Sequence, residues 1–298
     1  MFHAGELDVQ RRAGVSDQAA RLSGMLDPAQ LDGGPAKFLG QRTFATLTAR
    51  DRAGSLWISP LIGPAGFLAG HGTTLDIHAA PAESDPLHAM PVGQPVGLLA
   101  VEFAIRRRMR VNGVLSAVGP DALAIDVEQA FGNCPSYIQQ RLVEPIARRP
   151  RSAKATESNR LSEAQRALIR DADTFFLGTI HPSRGADASH KGGSPGFVRV
   201  DGDRLWWPDY AGNNLFNSMG NIAVNPEAAL LFVDFTTGTT LHLSGRAELE
   251  WRAPGLPGDE GNTGRRVWFA PARVVSSAPL PVRSTGVNLS PDNPPVAA

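Results

Sequence analysis

The chain has 298 residues, 42% of them apolar, enough to build the cores of two domains. Its 29 Lys+Arg balance 29 Asp+Glu, and a net charge of zero argues against nucleic-acid binding by bulk charge. Gly 31 and Pro 24 point to many turns and short strands, and a single cysteine, Cys134, excludes an intrachain disulfide and a cysteine zinc cluster.

The first ten residues, MFHAGELDVQ, lack the basic start and apolar core of a secretory signal. No apolar run approaches the roughly 20 residues that span a bilayer. The expectation is a cytoplasmic protein that engages neither membrane nor nucleic acid. Further on, Phe44–Thr48 reads as a strand, Asp51–Gly54 as a turn, and Leu56-Trp57-Ile58 as the start of the next strand. Leu98–Phe103 is nearly continuous in apolar residues and suits a strand buried on both faces. Arg110–Leu115 follows as its partner. Asp126 is placed to cap a short helix carrying Val127, Ala130 and Phe131, and Pro135 to open another with Ile138 and Leu142 on one face. The polar, basic stretch Glu144–Asn159 reads as a linker, and Ser162 with Gln165 as a capping box leading into an apolar helical stripe.

Beyond that point the pattern repeats. Thr43-Phe44 recurs at Thr174-Phe175, Gly54 at Gly185, and Pro64 at Pro195, each 131 residues later. LLAVEF from Leu98 recurs as LLFVDF from Leu230, 132 residues later. A nearly constant offset over this span means two copies of one β-rich domain, residues 1–150 with an N-terminal extension and residues 151–298. Strands are expected at Phe175–Ile180, Gly196–Val200, Leu205–Trp207, Leu230–Phe235, Thr240–Leu243 and Val267–Val275. Residues 279–298 are proline-rich and read as an extended or disordered tail.

The copies differ where chemistry would sit. Ser189-His190-Lys191, beside Gly192 and Gly193, gathers donors suited to an anionic group, whereas the aligned stretch Ile58-Ser59-Pro60-Leu61-Ile62-Gly63-Pro64 lacks the histidine and the lysine. Copy two also has Asp209-Tyr210 and the asparagine-rich Asn213, Asn214, Asn217 and Asn221. Asn213 or Asn214 is the expected cap of a helix carrying Leu215, Met219 and Ile222. Copy one has a proline-rich segment there and should lack that helix. In copy one alone, Arg106-Arg107-Arg108-Met109-Arg110 can clamp a phosphate or an acidic substrate; if extended, Arg106, Arg108 and Arg110 share a face. Cys134 has no partner base at informative spacing. The seven histidines show no metal-ligand spacing, so no metal is expected.

FHAGELDVQRRAGV, RRRMRVNG, FGNCPSYIQ, DASHKGGSPGFVRV, PDYAGNNLFNSMGNIAVNP and LLFVDF occur in that order along one chain. Together they resemble the pyridoxamine 5′-phosphate oxidase-related FMN-binding family. The resemblance implies a mainly β (α+β) fold: two split β-barrels in tandem with a few short helices, and FMN held where barrels meet. Homodimers usually supply that interface; here the repeat can supply it within one chain, and a homodimer stays open. By position, the resemblance assigns cofactor contacts to Ser189, His190, Lys191, Asp209, Tyr210, Asn213, Asn214 and Asn217. Lys191, with Arg106, Arg107 and Arg108 of the other copy, is set to compensate the phosphate. Where the oxidases carry basic residues at the phosphate-binding turn, this chain has Asn213 and Asn214, which departs from a vitamin B6 site. No acid, base or nucleophile is assigned. The function implied is an FMN-dependent oxidoreductase acting with a small-molecule substrate or a nicotinamide donor. The alternatives are a flavin- or haem-binding carrier or sensor, or a deazaflavin-dependent reductase.

Overall fold

A computed structural model describes residues 2–26, 30–146 and 154–296. The chain opens with helices α1 (Ala4–Arg12), α2 (Ser16–Ala20) and α3 (Gly34–Gly40). Strands β1 (Phe44–Arg50), β2 (Leu56–Ile62), β3 (Leu68–His71), β4 (Thr74–Ile77), β5 (Pro95–Glu102), β6 (Arg107–Val118) and β7 (Leu123–Gly132) follow. After β8 (Gln140–Pro145) and β9 (Thr156–Ser158), α4 (Glu163–Asp171) leads into β10 (Thr174–His181), β11 (Gly185–Gly192), β12 (Arg199–Asp201) and β13 (Arg204–Pro208). Then come α5 (Asn217–Val224), β14 (Glu227–Val233), β15 (Thr240–Trp251), β16 (Arg265–Ser276) and β17 (Val282–Asn288).

The duplication is visible in the strand order. The first sheet runs β2-β1-β5-β6-β7-β4-β3 and the second β11-β10-β14-β15-β16-β13-β12, one antiparallel topology used twice. Register makes the equivalence residue by residue. Leu47 faces Ser59 and Leu98 on its two sides, as Leu177 faces Ser189 and Leu230. Ser59 therefore corresponds to Ser189, Pro60 to His190 and Leu61 to Lys191. Leu98 pairs with Val111 and Leu230 with Leu243, so Arg110 corresponds to His242 and Arg108 to Thr240.

The central strands are apolar on both faces because each face meets a different core. Ala45, Leu47, Leu98 and Ala100 point into the first unit. Phe175, Leu177, Leu230 and Phe232 point into the second. The alternate residues Phe44, Leu99, Val101, Phe176 and Leu231 join a third core between the sheets. Glycine lets the backbones approach there: a Cβ on Gly97 would lie 2.6 Å from Asp187 Cα, and one on Gly178 would lie 2.8 Å from Thr48.

Ser162 and Gln165 form the expected capping box at α4. His3 and Glu6 form one at α1 that was not foreseen. Residues 78–94 contain no helix in the first unit, as expected. Three expectations are corrected. The segment from Asp126 to Phe131 belongs to strand β7, because Leu123, Ile125 and Val127 alternate inward with Asp126 and Glu128 and pair with β6. No helix starts at Pro135: Tyr137 sits at φ 66° and the chain enters β8. The C-terminal segment contains β17, which pairs with β8 and ties it to the first half. The linker reading partly fails as well, since Gln140–Pro145 and Thr156–Ser158 are strands; residues 147–153, including the 150/151 boundary, lie outside the described residues. Among the described residues no helix is long and apolar enough to cross a membrane, and no cluster of three or more His, Cys, Asp or Glu side chains is placed to hold a metal.

Candidate functional site

A cleft of about 820 Å³, measured to its open mouth, lies where the first unit's β6 meets the second unit's β11. Its second-unit wall is β11, the end of β13 and the segment entering α5. This brings together Ser189, His190, Lys191, Asp209, Tyr210, Asn213, Asn214 and Asn217, eight of the ten residues anticipated from sequence. The first-unit wall is Arg108, Arg110 and the turn Asn133–Tyr137.

Arg106 and Arg107 do not line the cleft. Arg106 adopts a left-handed turn at φ 50°, so the extended face begins only with Arg108 and Arg110. The Arg106 guanidinium instead donates from Nε to the Ile138 carbonyl at 3.0 Å. The alternation of a strand could have singled out Arg108 and Arg110; the turn that removes Arg106 from that face has no sequence signal as plain.

One terminal nitrogen of Arg110 reaches both oxygens of Asp187, at 3.0 and 2.9 Å, while its other terminal nitrogen donates to Ser189 Oγ at 2.8 Å. Asp187 also accepts from Ser218 Oγ at 2.8 Å, which anchors the start of α5 to β11. Because Ser189 accepts from a guanidinium, its own hydroxyl proton stays free to donate. Asp187 and Ser218 were missed from sequence, although a buried acid calls for a paired cation.

Arg108 differs. Its terminal nitrogen donates to His190 Nδ1 at 2.9 Å and to the His190 carbonyl at 3.3 Å, and its Nε has no partner. No carboxylate pairs with it among the described residues. Burial, then the neighbouring Arg110, pushes its pKa down to about 10, still charged at neutral pH. The contact fixes the His190 tautomer with the proton on Nε2. Burial first, then Arg108, holds that imidazole well below its ordinary range, so it is neutral.

Lys191 donates to Asp209 at 3.2 Å, and Arg265 donates to the other carboxylate oxygen at 2.8 Å. Burial alone would raise the Asp209 carboxyl; the two cations outweigh it and hold it below its usual range. Asp209 is thus an anchor whose own oxygens are engaged. Tyr210 and Tyr137 pack against each other across the units, tilted at 40° with centroids 5.0 Å apart, and Tyr137 donates to the Ala211 carbonyl at 2.9 Å. Cys134 also lines the cleft, its Sγ 3.1 Å from Ser136 Oγ.

The asparagines now have reasons. Asn214 takes φ 62°, a backbone region that asparagine tolerates, and Asn213 Oδ1 accepts from the Leu215 amide. Neither caps the helix: α5 begins at Asn217 after Phe216, so its first amides are unclaimed by a side-chain cap, and Phe216, Asn217 and Ser218 line the cleft. Asn217 donates to Glu6 at 2.7 Å and Asn221 to Thr179 at 3.0 Å. These bonds, with the close crossing of Gly5 and Gly220, seat α1 behind the cleft.

The pseudo-symmetric position is filled. Ser59 donates to Asp85 at 2.5 Å, Asp85 also accepts from the Leu87 amide, and His242 lies 3.8 Å from Asp85. His242 Nδ1 bonds the Ile58 carbonyl. All three side chains are buried, and Leu87 and Met90 of the 78–94 segment fill the first unit's core beside them.

Residues 161–258 match the family described as pyridoxamine 5′-phosphate oxidase. A provisionally named pyridoxamine 5′-phosphate oxidase from Lactobacillus delbrueckii is 20% identical, with 39% of this chain and 94% of that one covered, at a TM-score of 0.33. The HupZ protein of Group A Streptococcus is 14% identical over 40% of this chain and 98% of its own, at 0.32. An FAD binding protein from Mycobacterium smegmatis is 12% identical over 40% and 97%, at 0.28. No curated protein matches the chain.

Proposed function

Because residues 161–258, within the second unit, match the family described as pyridoxamine 5′-phosphate oxidase, we propose that the chain binds flavin mononucleotide in the cleft between its units and acts as a flavin-dependent oxidoreductase. The observation that carries this reading is Arg108: a half-buried guanidinium whose side-chain partner is a neutral imidazole, with a buried, unpartnered Nε. A cation partly withdrawn from water without a counter-charge is costly unless a ligand supplies one, and a phosphate monoester brings nearly two negative charges at neutral pH. Arg108, the Ser189 hydroxyl and the uncapped start of α5 form the donor set for it. Lys191 adds charge, reduced by its pairing with Asp209. FMN would bring the redox centre, an isoalloxazine able to accept or donate a hydride.

The protein's part is to bind, orient and exclude water. Arg110 and Asp187 lock β6 to β11, and Tyr137 with Tyr210 gives the mouth an aromatic rim. Neutral His190, its Nδ1 occupied by Arg108, is a hydrogen-bond donor rather than a base. The flavin-carrier alternative draws on the same fact: no side chain in the cleft is set up as a general acid or base.

The test is titration of the purified protein with FMN, followed by flavin fluorescence. Parent protein should bind, and Arg108→Ala should weaken binding by about 10- to 150-fold, the loss of roughly 1.5–3 kcal/mol from a charged hydrogen-bond partner. Unchanged far-ultraviolet circular dichroism controls for folding. Equal affinity in parent and variant would remove the phosphate from Arg108. Anaerobic bleaching of the bound flavin by NADH or NADPH would separate an oxidoreductase from a carrier.

A further inference from the structure

A second opening adjoins the cleft. It is a groove of about 1540 Å³, measured to its mouth, between α3, the β5–β6 turn and the end of β7. Lys37, Arg42, Arg106, Arg107 and Arg108 line it, together with Phe38, and no acidic side chain does. Of these cations only Arg42 has a carboxylate partner among the described residues, Glu102. Arg106 donates to backbone carbonyls of Ile138, Asn288 and Leu289. Lys37 and Arg107 are exposed. On a chain of zero net charge this is a local excess of four positive charges. Ile105, 57% exposed, with Phe38 and Met109 gives the groove an apolar side as well.

Arg108 and Asn133 line both openings, so groove and cleft share a wall there, and the buried Arg108 Nε and Asn133 Oδ1 in that wall both lack partners. Among the described residues the second unit shows no equivalent groove. Arg107 and Arg108 correspond to Thr239 and Thr240, and Thr240 is covered by Ser277, whose hydroxyl is 2.6 Å away, while Leu280 bonds the Gly238 carbonyl. The groove therefore belongs to one side of the duplicated chain, the side that also keeps the open cleft.

We propose that this groove binds the phosphate-bearing end of a nucleotide whose other end reaches the cleft. Several unneutralised cations suit a pyrophosphate, and the apolar patch suits a base or ribose. Two sources share that chemistry: the adenylate half of a dinucleotide flavin, or a separate nicotinamide dinucleotide. The proposal rests on the reading of the cleft as a flavin site, and the experiment keeps the two apart.

Parent and the double variant Lys37→Ala/Arg107→Ala, neither residue lining the cleft, are titrated calorimetrically with FMN, FAD, NADP+ in the presence of FMN, and inorganic pyrophosphate alone. FMN affinity should stay within about twofold, while pyrophosphate and one of the two dinucleotides weaken by about tenfold or more, the scale set by losing two charged contacts. A selective loss of FAD assigns the groove to the flavin's tail, and a selective loss of NADP+ assigns it to a separate donor. If FMN does not bind the parent, the cleft reading fails and the pyrophosphate arm alone decides the groove. The proposal is overturned if the parent binds no pyrophosphate-bearing ligand, if the double variant binds them all as the parent does, or if it loses FMN in parallel.

Discussion

Ser189 and Ser59 occupy one position in the two copies of a single fold, yet one lines an open cleft and the other is sealed. At the open position Ser189 accepts from Arg110 and adjoins the uncompensated Arg108. At the sealed position Ser59 donates to Asp85, and the residue equivalent to Arg110 is His242, packed against the same acid. The difference lies in the segment after the fourth strand of each unit. In the second unit it rises into α5 and leaves room, while in the first unit residues 78–94 fold inward and supply Asp85 and Leu87. Duplication thus kept the scaffold twice and the polar opening once.

The largest effect expected from breaking this comparison is at the sealed position. Asp85→Ala leaves the Ser59 hydroxyl and the Leu87 amide without their acceptor in a buried place, at a cost of about 2–4 kcal/mol of stability. Guanidinium denaturation should show that loss, while FMN affinity stays at the parent's value. A parallel loss of FMN affinity would mean that the sealed side is not independent of the cleft.

A smaller and pH-dependent effect is expected behind the open position, where α1 has no counterpart in the other copy. Burial raises the Glu6 carboxyl to about 7. A folded value above the unfolded one means that this group favours the fold most below its ordinary value near 4.5, and that the benefit is lost as pH rises through about 7. Glu6→Gln should therefore stabilise the protein by roughly 1–3 kcal/mol at pH 8 and leave it unchanged below pH 4.5. Denaturation midpoints at the two pH values check the sign. The neighbouring His3 is lowered to about 4, first by burial, so its contribution runs the other way: present above about 6.5 and lost on acidification through about 4.

The smallest effect is expected at Lys191. Asp209 already neutralises it and keeps Arg265 when the lysine is gone. Lys191→Ala should weaken FMN binding less than Arg108→Ala does, by under about tenfold. A larger loss at Lys191 than at Arg108 would reverse the ranking of the two cations.

Much of this was legible in the chain. The offset between LLAVEF and LLFVDF located β5 and β14, and the loss of His and Lys opposite Ser59 marked the side that is sealed. Eight anticipated site residues line one cleft because β11, the end of β13 and the segment entering α5 of a single unit converge there. The remainder depended on features that local sequence does not encode. Arg106 leaves the strand face through a left-handed turn. Asp126 to Phe131 reads as helical by spacing, but the long β6 offers it a partner. Asp85 meets His242 across 157 positions of sequence, so the plug is a tertiary fact.

The central claim is one open flavin site in a duplicated chain, and its most direct measurement is binding stoichiometry. Titration of a known concentration of protein with FMN, read by fluorescence and checked by native mass spectrometry, should saturate at one flavin per chain. Arg108→Ala should weaken that single site, and Asp85→Ala should leave it intact. Saturation at two equivalent flavins per chain would contradict the account, because the Ser59–Asp85–His242 side would then be a second site rather than a sealed one.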